Sequence, residues 1–195
     1  MRRSQTGFSL LEVITTAAVI GLLAAAAAPA FSTLLARAQL RLAAQSISVV
    51  LNDTRQRAIT AGRGTGLKFL PGAGQKWSYV LIEDGDGDGV RTDDLRDGVD
   101  VTIGRTRPLL ADPGIAAIGF EEGVTDPDNG RPLPPGAKPV AFGRADICAF
   151  SPAGDGTPGT IYVTARGETA AVRCSGETGV IRGMWFDRRS RRWTR

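Results

Sequence analysis

The run from Phe8 to Ala28 constrains this chain more than any other stretch, because it is apolar or uncharged throughout except for one carboxylate, Glu12. As an α-helix it extends roughly 30 Å, the thickness of a bilayer's hydrocarbon core. A charge at mid-bilayer costs about 2.5–3.5 kcal/mol on insertion scales, so a chain that keeps one there gives it a partner. The short basic segment before it, Met1 to Gly7, carries Arg2 and Arg3 and favours a cytoplasmic amino end. If that segment were removed after Gly7, the new amino group of Phe8 would lie one helical turn from Glu12, on the same or a neighbouring chain, and would offset its charge. An ordinary secretory signal is the competing reading, with small residues between Ala24 and Ala30 for cleavage. The charge inside the apolar run argues against it. So does the helical pattern, which continues beyond Ala30.

Past Pro29, Ala43, Ile47, Val50, Thr54 and Ala58 keep helical spacing, while Arg37, Arg41, Gln45, Asn52, Arg55 and Arg57 supply the polar positions. One long helix is therefore expected from Phe8 to about Ala61, kinked at Pro29 and stopped by Gly62-Arg63-Gly64. The rest of the chain is rich in turn formers, with 25 Gly and 11 Pro in 195 residues, which separate short β-branched and aromatic runs. Strands are expected over Gly66–Leu70, Lys76–Ile82, Val99–Ile103, Ala116–Glu121, Val140–Phe142, Ile147–Ser151, Thr160–Ala165, Ala170–Ser175 and Val180–Asp187. The fold class is α+β: a long amino-terminal helix, membrane anchor plus amphipathic half, packed on an antiparallel β-sheet head, with one face of the sheet covered by the amphipathic half.

At the amino end, Gly7-Phe8-Ser9-Leu10-Leu11-Glu12-Val13 resembles the class III leader of type IV pilins and of type II secretion pseudopilins. In the carboxy-terminal third, Phe150-Ser151-Pro152-Ala153-Gly154, Gly159-Thr160-Ile161-Tyr162-Val163, Ala171-Val172-Arg173-Cys174-Ser175 and Gly179-Val180-Ile181-Arg182 resemble the closing strands of the GspH/FimT group of minor pseudopilins and minor pilins. These resemblances imply a type IV pilin-like fold. Its organisation would be a leader at 1–7, a transmembrane segment at 8–29, an amphipathic helical half at 30–62 and a periplasmic head at 63–195. They further imply cleavage after Gly7 and N-methylation of Phe8 by the prepilin peptidase, with Glu12 guiding subunit docking. The implied partners are other major and minor pseudopilins and the inner-membrane assembly platform. The implied location is the bacterial inner membrane, single-pass with the amino end cytoplasmic, before assembly into a periplasmic pseudopilus that supports export of folded proteins. The alternative within the same resemblance is a FimT-like minor pilin, in pilus assembly or DNA uptake.

Three further features each leave two readings open. Cys148 and Cys174 fall in expected strands outside the membrane, where an oxidising compartment favours a disulfide; buried free thiols are the alternative. Asp84, Asp86 and Asp88 alternate with glycines like the front half of a calcium loop, but Leu95 stands where such a loop places its bidentate Glu. A solvated acidic turn is the preferred reading there, and no other cofactor is expected. Arg182, Arg188, Arg189, Arg191 and Arg192, interspersed with Trp185 and Trp193, form either a solvated basic end, the preferred reading, or a DNA contact with aromatic stacking on bases. Catalysis is not expected. The chain has no histidine, which removes the usual zinc ligands and His-assisted nucleophiles, and no carboxylate pair is singled out as acid and base.

Overall fold

A computed structural model describes residues 9–111 and 115–194. Helix α1 (Leu10–Ala61) is 52 residues long and continues through Pro29. The chain divides into two compact units, one ending at Leu35 and one beginning at Ala36, so the helix contributes to both.

In the first unit every described helical side chain is exposed, from Leu10, Leu11 and Ile14 to Leu22, Leu23 and Leu34. A helix apolar on all sides has no face to bury against a single globular core, and it calls for a membrane or a surround of other helices.

The second unit begins where periodic burial begins. Ala36, Leu40, Ala43, Ala44, Ile47, Leu51 and Ala58 are buried, at the three- and four-residue spacing that forms one helical stripe. The helix stops at Gly62, whose φ of +65° lets the Arg63 N–H reach back to the Ala58 carbonyl at 3.2 Å, closing a Schellman-type end.

After the helix come β1 (Thr65–Pro71), a short 3-10 turn at Ala73–Gln75, β2 (Trp77–Glu83), a second helix α2 (Thr92–Asp97) and β3 (Val101–Pro108). Then follow β4 (Ala117–Ile118), β5 (Val140–Ala141), β6 (Ile147–Phe150), β7 (Gly159–Ala165), β8 (Glu168–Cys174), β9 (Ile181–Asp187) and β10 (Arg192–Thr194). They form two antiparallel sheets rather than the single sheet expected. The first has four strands in the order β3-β2-β1-β6. The second has six, in the order β10-β9-β8-β7-β4, with β5 also pairing β7.

The chain crosses between the sheets three times, after β3, after β5 and after β6, the last at a tight turn. There β6 completes the first sheet against β1, Gly154 adopts a φ of +90°, and the chain re-enters as β7 in the other sheet. Three elements were not expected. Helix α2 buries no residue and is defined by acids in its first turn and a left-handed Gly98 after its last. Strand β10 is arginine-rich, and the 3-10 turn is a single turn at a hairpin. Strand β3 runs five residues beyond Ile103, to Pro108, and is exposed along its whole length as a sheet edge.

One core joins the two sheets and the helix. Leu40, Ile47 and Leu51 of α1 share it with Leu67 and Phe69 of β1, Phe150 of β6, Val163 of β7 and Val172 of β8, and Phe69 stacks on Phe142 with ring centroids 5.3 Å apart. Every buried apolar side chain among the described residues lies at or beyond Ala36. Urea unfolding of the 36–195 unit should therefore show Ile47→Ala losing about 2–5 kcal/mol to transfer and cavity costs. Leu42→Ala, on the same helix but 63% exposed, should change stability by no more than about 0.5 kcal/mol.

Candidate functional site

Gly7 and Phe8, the expected cleavage and methylation residues, lie outside the described residues. Glu12 sits in the first turn of α1 with its side chain exposed. Its backbone carbonyl accepts a hydrogen bond from Thr15 Oγ1 at 3.0 Å and another from Thr16 Oγ1. The Thr15 and Thr16 hydroxyls are thereby satisfied within the helix, as an apolar surround requires. The stretch Leu10–Ala28 is long and apolar enough to cross a membrane, with no part of it buried.

In the head, the carboxy-terminal motifs converge on a residue that sequence reading placed only as a polar helix position. Arg55 of α1 donates from Nε to the Gly154 carbonyl at 2.7 Å and from Nη2 to the Thr178 carbonyl at 3.2 Å. Its guanidinium thus ties the helix to the turn after β6 and to the turn between β8 and β9. Gly179, with φ +58°, makes this closeness feasible: a Cβ there would fall 2.0 Å from the Gly154 carbonyl oxygen. The only signal in the sequence was the pair of glycine-bounded motifs, and nothing local connected them to Arg55.

The acidic turn is a built loop joining β2 to α2. Asp84 is buried, and its carboxylate accepts the N–H groups of Gly87 at 2.7 Å, Gly89 at 2.9 Å and Asp86 at 3.2 Å. Burial pushes the Asp84 carboxyl upward, but those hydrogen bonds outweigh it and hold the pKa below the ordinary 3.8. Asp100, also buried, closes the loop from the far side by accepting Gly85 N–H at 3.2 Å and Arg91 N–H at 2.8 Å. Asp84, Asp86 and Asp88 each place a carboxylate oxygen within 4.8 Å of the others. Asp88 also pairs with Arg91. Asp94 has a side-chain oxygen with neither solvent access nor a hydrogen-bond partner. Partial desolvation and the charges of Asp86 and Asp100 push its carboxyl upward. Asp84, Asp86 and Asp88 are the residues that could hold a divalent cation; the sequence offered Asp93 or Asp94 to complete the shell, and Asp100, engaged with Gly85 and Arg91, is the part of the loop it did not announce. An open cavity of about 600 Å³ lies between this loop, Arg63 and the turn after β6.

Cys148 and Cys174 are brought together, as expected, but stand as free thiols rather than as a bridge. Both are fully buried, and Cys174 Sγ donates to the Ser175 carbonyl at 3.8 Å.

The basic hairpin is organised by Asp187, which accepts the Arg189 N–H at 2.9 Å and the Ser190 hydroxyl at 2.8 Å. Arg182, Arg188, Arg189, Arg191 and Arg192 are all exposed, and none pairs with a carboxylate among the described residues. The tryptophans do not join them as free stacking surfaces. Trp193 packs against Phe186 and Tyr162, with ring centroids at 5.2 and 6.1 Å, and donates Nε1–H to the Thr125 carbonyl at 2.7 Å. Trp185 is half-buried against the core. The arginines thus present charge without the aromatic faces a stacking contact uses.

Residues 2–28 match the prokaryotic N-terminal methylation motif. The chain is 30% identical over 130 residues to a fimbrial protein of Moraxella nonliquefaciens, covering 63% of this chain and 69% of that one. It is also similar, at 17% identity and a TM-score of 0.41, to the minor pseudopilin EpsH from the type 2 secretion system of Vibrio cholerae, across 75% of this chain and 97% of that one. With a prepilin-type amino terminus on an apolar helix that leads into an antiparallel head, the chain belongs to the type IV pilin-like family of fimbrial proteins.

Two outcomes test the head's polar geometry. Gly179→Ala should lose at least about 1–3 kcal/mol in urea unfolding, from left-handed strain together with the clash at the Gly154 carbonyl. Asp84→Asn should be less stable than the parent at neutral pH. Because the folded pKa of Asp84 is depressed, the parent's advantage is complete above the ordinary value and fades as pH falls through the folded one. Unfolding curves of the two proteins across an acid series read this directly.

Proposed function

We propose that the chain is a minor pseudopilin of a type II secretion system, at or near the tip of a periplasmic pseudopilus that supports export of folded proteins. The observation that carries this reading is the methylation motif on a helical stretch, Leu10–Ala28, with no buried face, and with Glu12 as the sole charge between Phe8 and Ala28. In this mechanism the prepilin peptidase cuts after Gly7 and methylates the Phe8 amine. The helix then waits in the inner membrane, with its amino end cytoplasmic and its head periplasmic. Glu12, costly in lipid, is drawn to the positive amino terminus of a neighbouring pseudopilin, which aligns the entering subunit while the assembly platform lifts it. The work is mechanical, and the head serves as a packed surface rather than a reaction site. The glycine-bounded carboxy-terminal motifs support assignment to the GspH/FimT group.

A FimT-like minor pilin in pilus assembly or DNA uptake is the second reading. It is favoured by the fimbrial relative and by the unpaired arginines of the β9–β10 hairpin, which suit a phosphate backbone through charge alone. Deleting the gene and measuring exoprotein release beside DNA uptake separates the two. Loss of release that returns with the parent gene but not with Glu12→Ala supports the pseudopilin. Unchanged release with lost uptake, restored by the parent but not by a variant with the five hairpin arginines replaced by alanine, supports the pilin.

A further inference from the structure

Most edges of the head's sheets are short or covered. Strands β4 and β5 hold two residues each and β10 three. The outer side of β6 is taken up by Thr157, whose N–H donates to the Ala149 carbonyl at 2.8 Å and whose hydroxyl accepts the Ala149 N–H at 3.1 Å. Strand β3 differs: it has eight residues, all exposed, and no strand on its outer side among the described residues. Its register shows which backbone groups are left over. Asp84 N–H reaches the Gly64 carbonyl on the β1 side at 2.9 Å, and Leu109 N–H reaches the Trp77 carbonyl at 2.8 Å. By alternation Trp77, Tyr79, Leu81 and Glu83 turn their backbone groups to β3. Arg107, Ile103 and Val101, which face the last three, are therefore bonded inward. Thr102 and Thr106, on either side of the bulge that contains Gly104, turn their backbone groups outward.

The side chains on one face of this edge select the partner. Ile103, Arg105 and Arg107 line a groove of about 280 Å³ between β3 and α1. On the α1 side Arg57 is held by Asp53 at 3.1 Å, whereas Arg105 and Arg107 pair with no carboxylate among the described residues. Val101 and Ile103, 50% and 37% exposed, precede them on the same face. A second copy of β3 alongside would gather four arginines on one ladder and be repelled. An acidic strand would neutralise them.

We propose that β3 is a docking edge for an extended, acidic segment of another protein, added as a fifth strand to the four-stranded sheet. The segment's backbone bonds to Thr102 and Thr106. On the groove face, two of its carboxylates at alternate positions meet Arg105 and Arg107, and its apolar side chains cover Val101 and Ile103. The edge has this property whichever machine the chain serves.

The probes are synthetic peptides as long as β3 that alternate threonine with two glutamates and then two valines, or with the valines first. They are added to the full chain in nonionic detergent. Fluorescence anisotropy should show saturable binding of at least one of the two, and hydrogen exchange should slow at the Thr102 and Thr106 amides but not in β10, the other arginine-bearing edge. Methylating the peptide's backbone nitrogens at one alternate set should abolish binding, and at the other set leave it unchanged, because a strand offers only one set to an edge. Lysine in place of glutamate in the peptide should weaken binding about tenfold. Arg105→Glu together with Arg107→Glu in the protein should reverse that preference. The peptide changes leave the protein untouched, so the test does not depend on the double variant folding. No saturable binding by either peptide, indifference to which set is methylated, or protection in β10 instead of β3 would overturn the proposal. So would protection of Thr102 and Thr106 that rises with protein concentration in the absence of peptide, which assigns the edge to a second copy.

Discussion

The burial of one stripe of α1, from Ala36 through Leu40, Ile47 and Leu51 to Ala58, is the contact on which the head depends. It draws residues of both sheets into a single core, with Leu67 and Phe69 from one side and Val163 and Val172 from the other. Its alanines at positions 36, 43, 44 and 58 leave room for close approach of the helix, and its larger residues fill the space between the sheets. Arg55 adds direction to this packing, because a guanidinium that donates to carbonyls in two separate turns fixes the helix in both register and rotation. The glycines at 154 and 179 are needed for that clasp.

The same helix answers to two solvents. From Ala36 onward polar residues alternate with a buried stripe, as in any helix docked on a globular domain. Before that point the described side chains are exposed and almost wholly apolar, with Glu12 as the one acidic or basic residue. That change of pattern within a continuous helix is the physical content of a pilin-like subunit: a folded head that needs no partner for its core, and a segment that is satisfied only by lipid or by other helices. In the proposed assembly Glu12 is costly in lipid and gains a counter-charge from a neighbouring amino terminus, which would favour leaving the membrane for a filament.

Much of this was legible in the sequence because it is written in local periodicity. Ala43, Ile47, Thr54 and Ala58 read as a helical face and are buried, and Gly62 read as a stop and is one. The strands from Ile147 onward also fall close to their expected places, since β-branched runs between glycine turns leave little choice. What was not legible is non-local. How ten short strands divide between two sheets depends on pairings distant in sequence, such as that of β1 with β6, where Leu67 faces Cys148. The Arg55 clasp is hidden for the same reason. Helix α2 lacks an apolar face, so no periodicity announces it, and the arginines of β10 mask a strand that Trp193 anchors through Thr125. The acidic loop was visible as a row of carboxylates, yet Asp100, which closes it from just before β3, was not.

The proposed function requires a processed prepilin terminus, with the Glu12 carboxylate near a new positive charge. Intact-mass and amino-terminal peptide analysis of the protein extracted from membranes of cells that contain a prepilin peptidase tests it most directly. The expected result is a chain beginning at Phe8 with a methylated α-amine, and the uncut chain in cells that lack the peptidase. A chain beginning after a residue between Ala24 and Ala30, or one still carrying Met1–Gly7 in the presence of the peptidase, would contradict it.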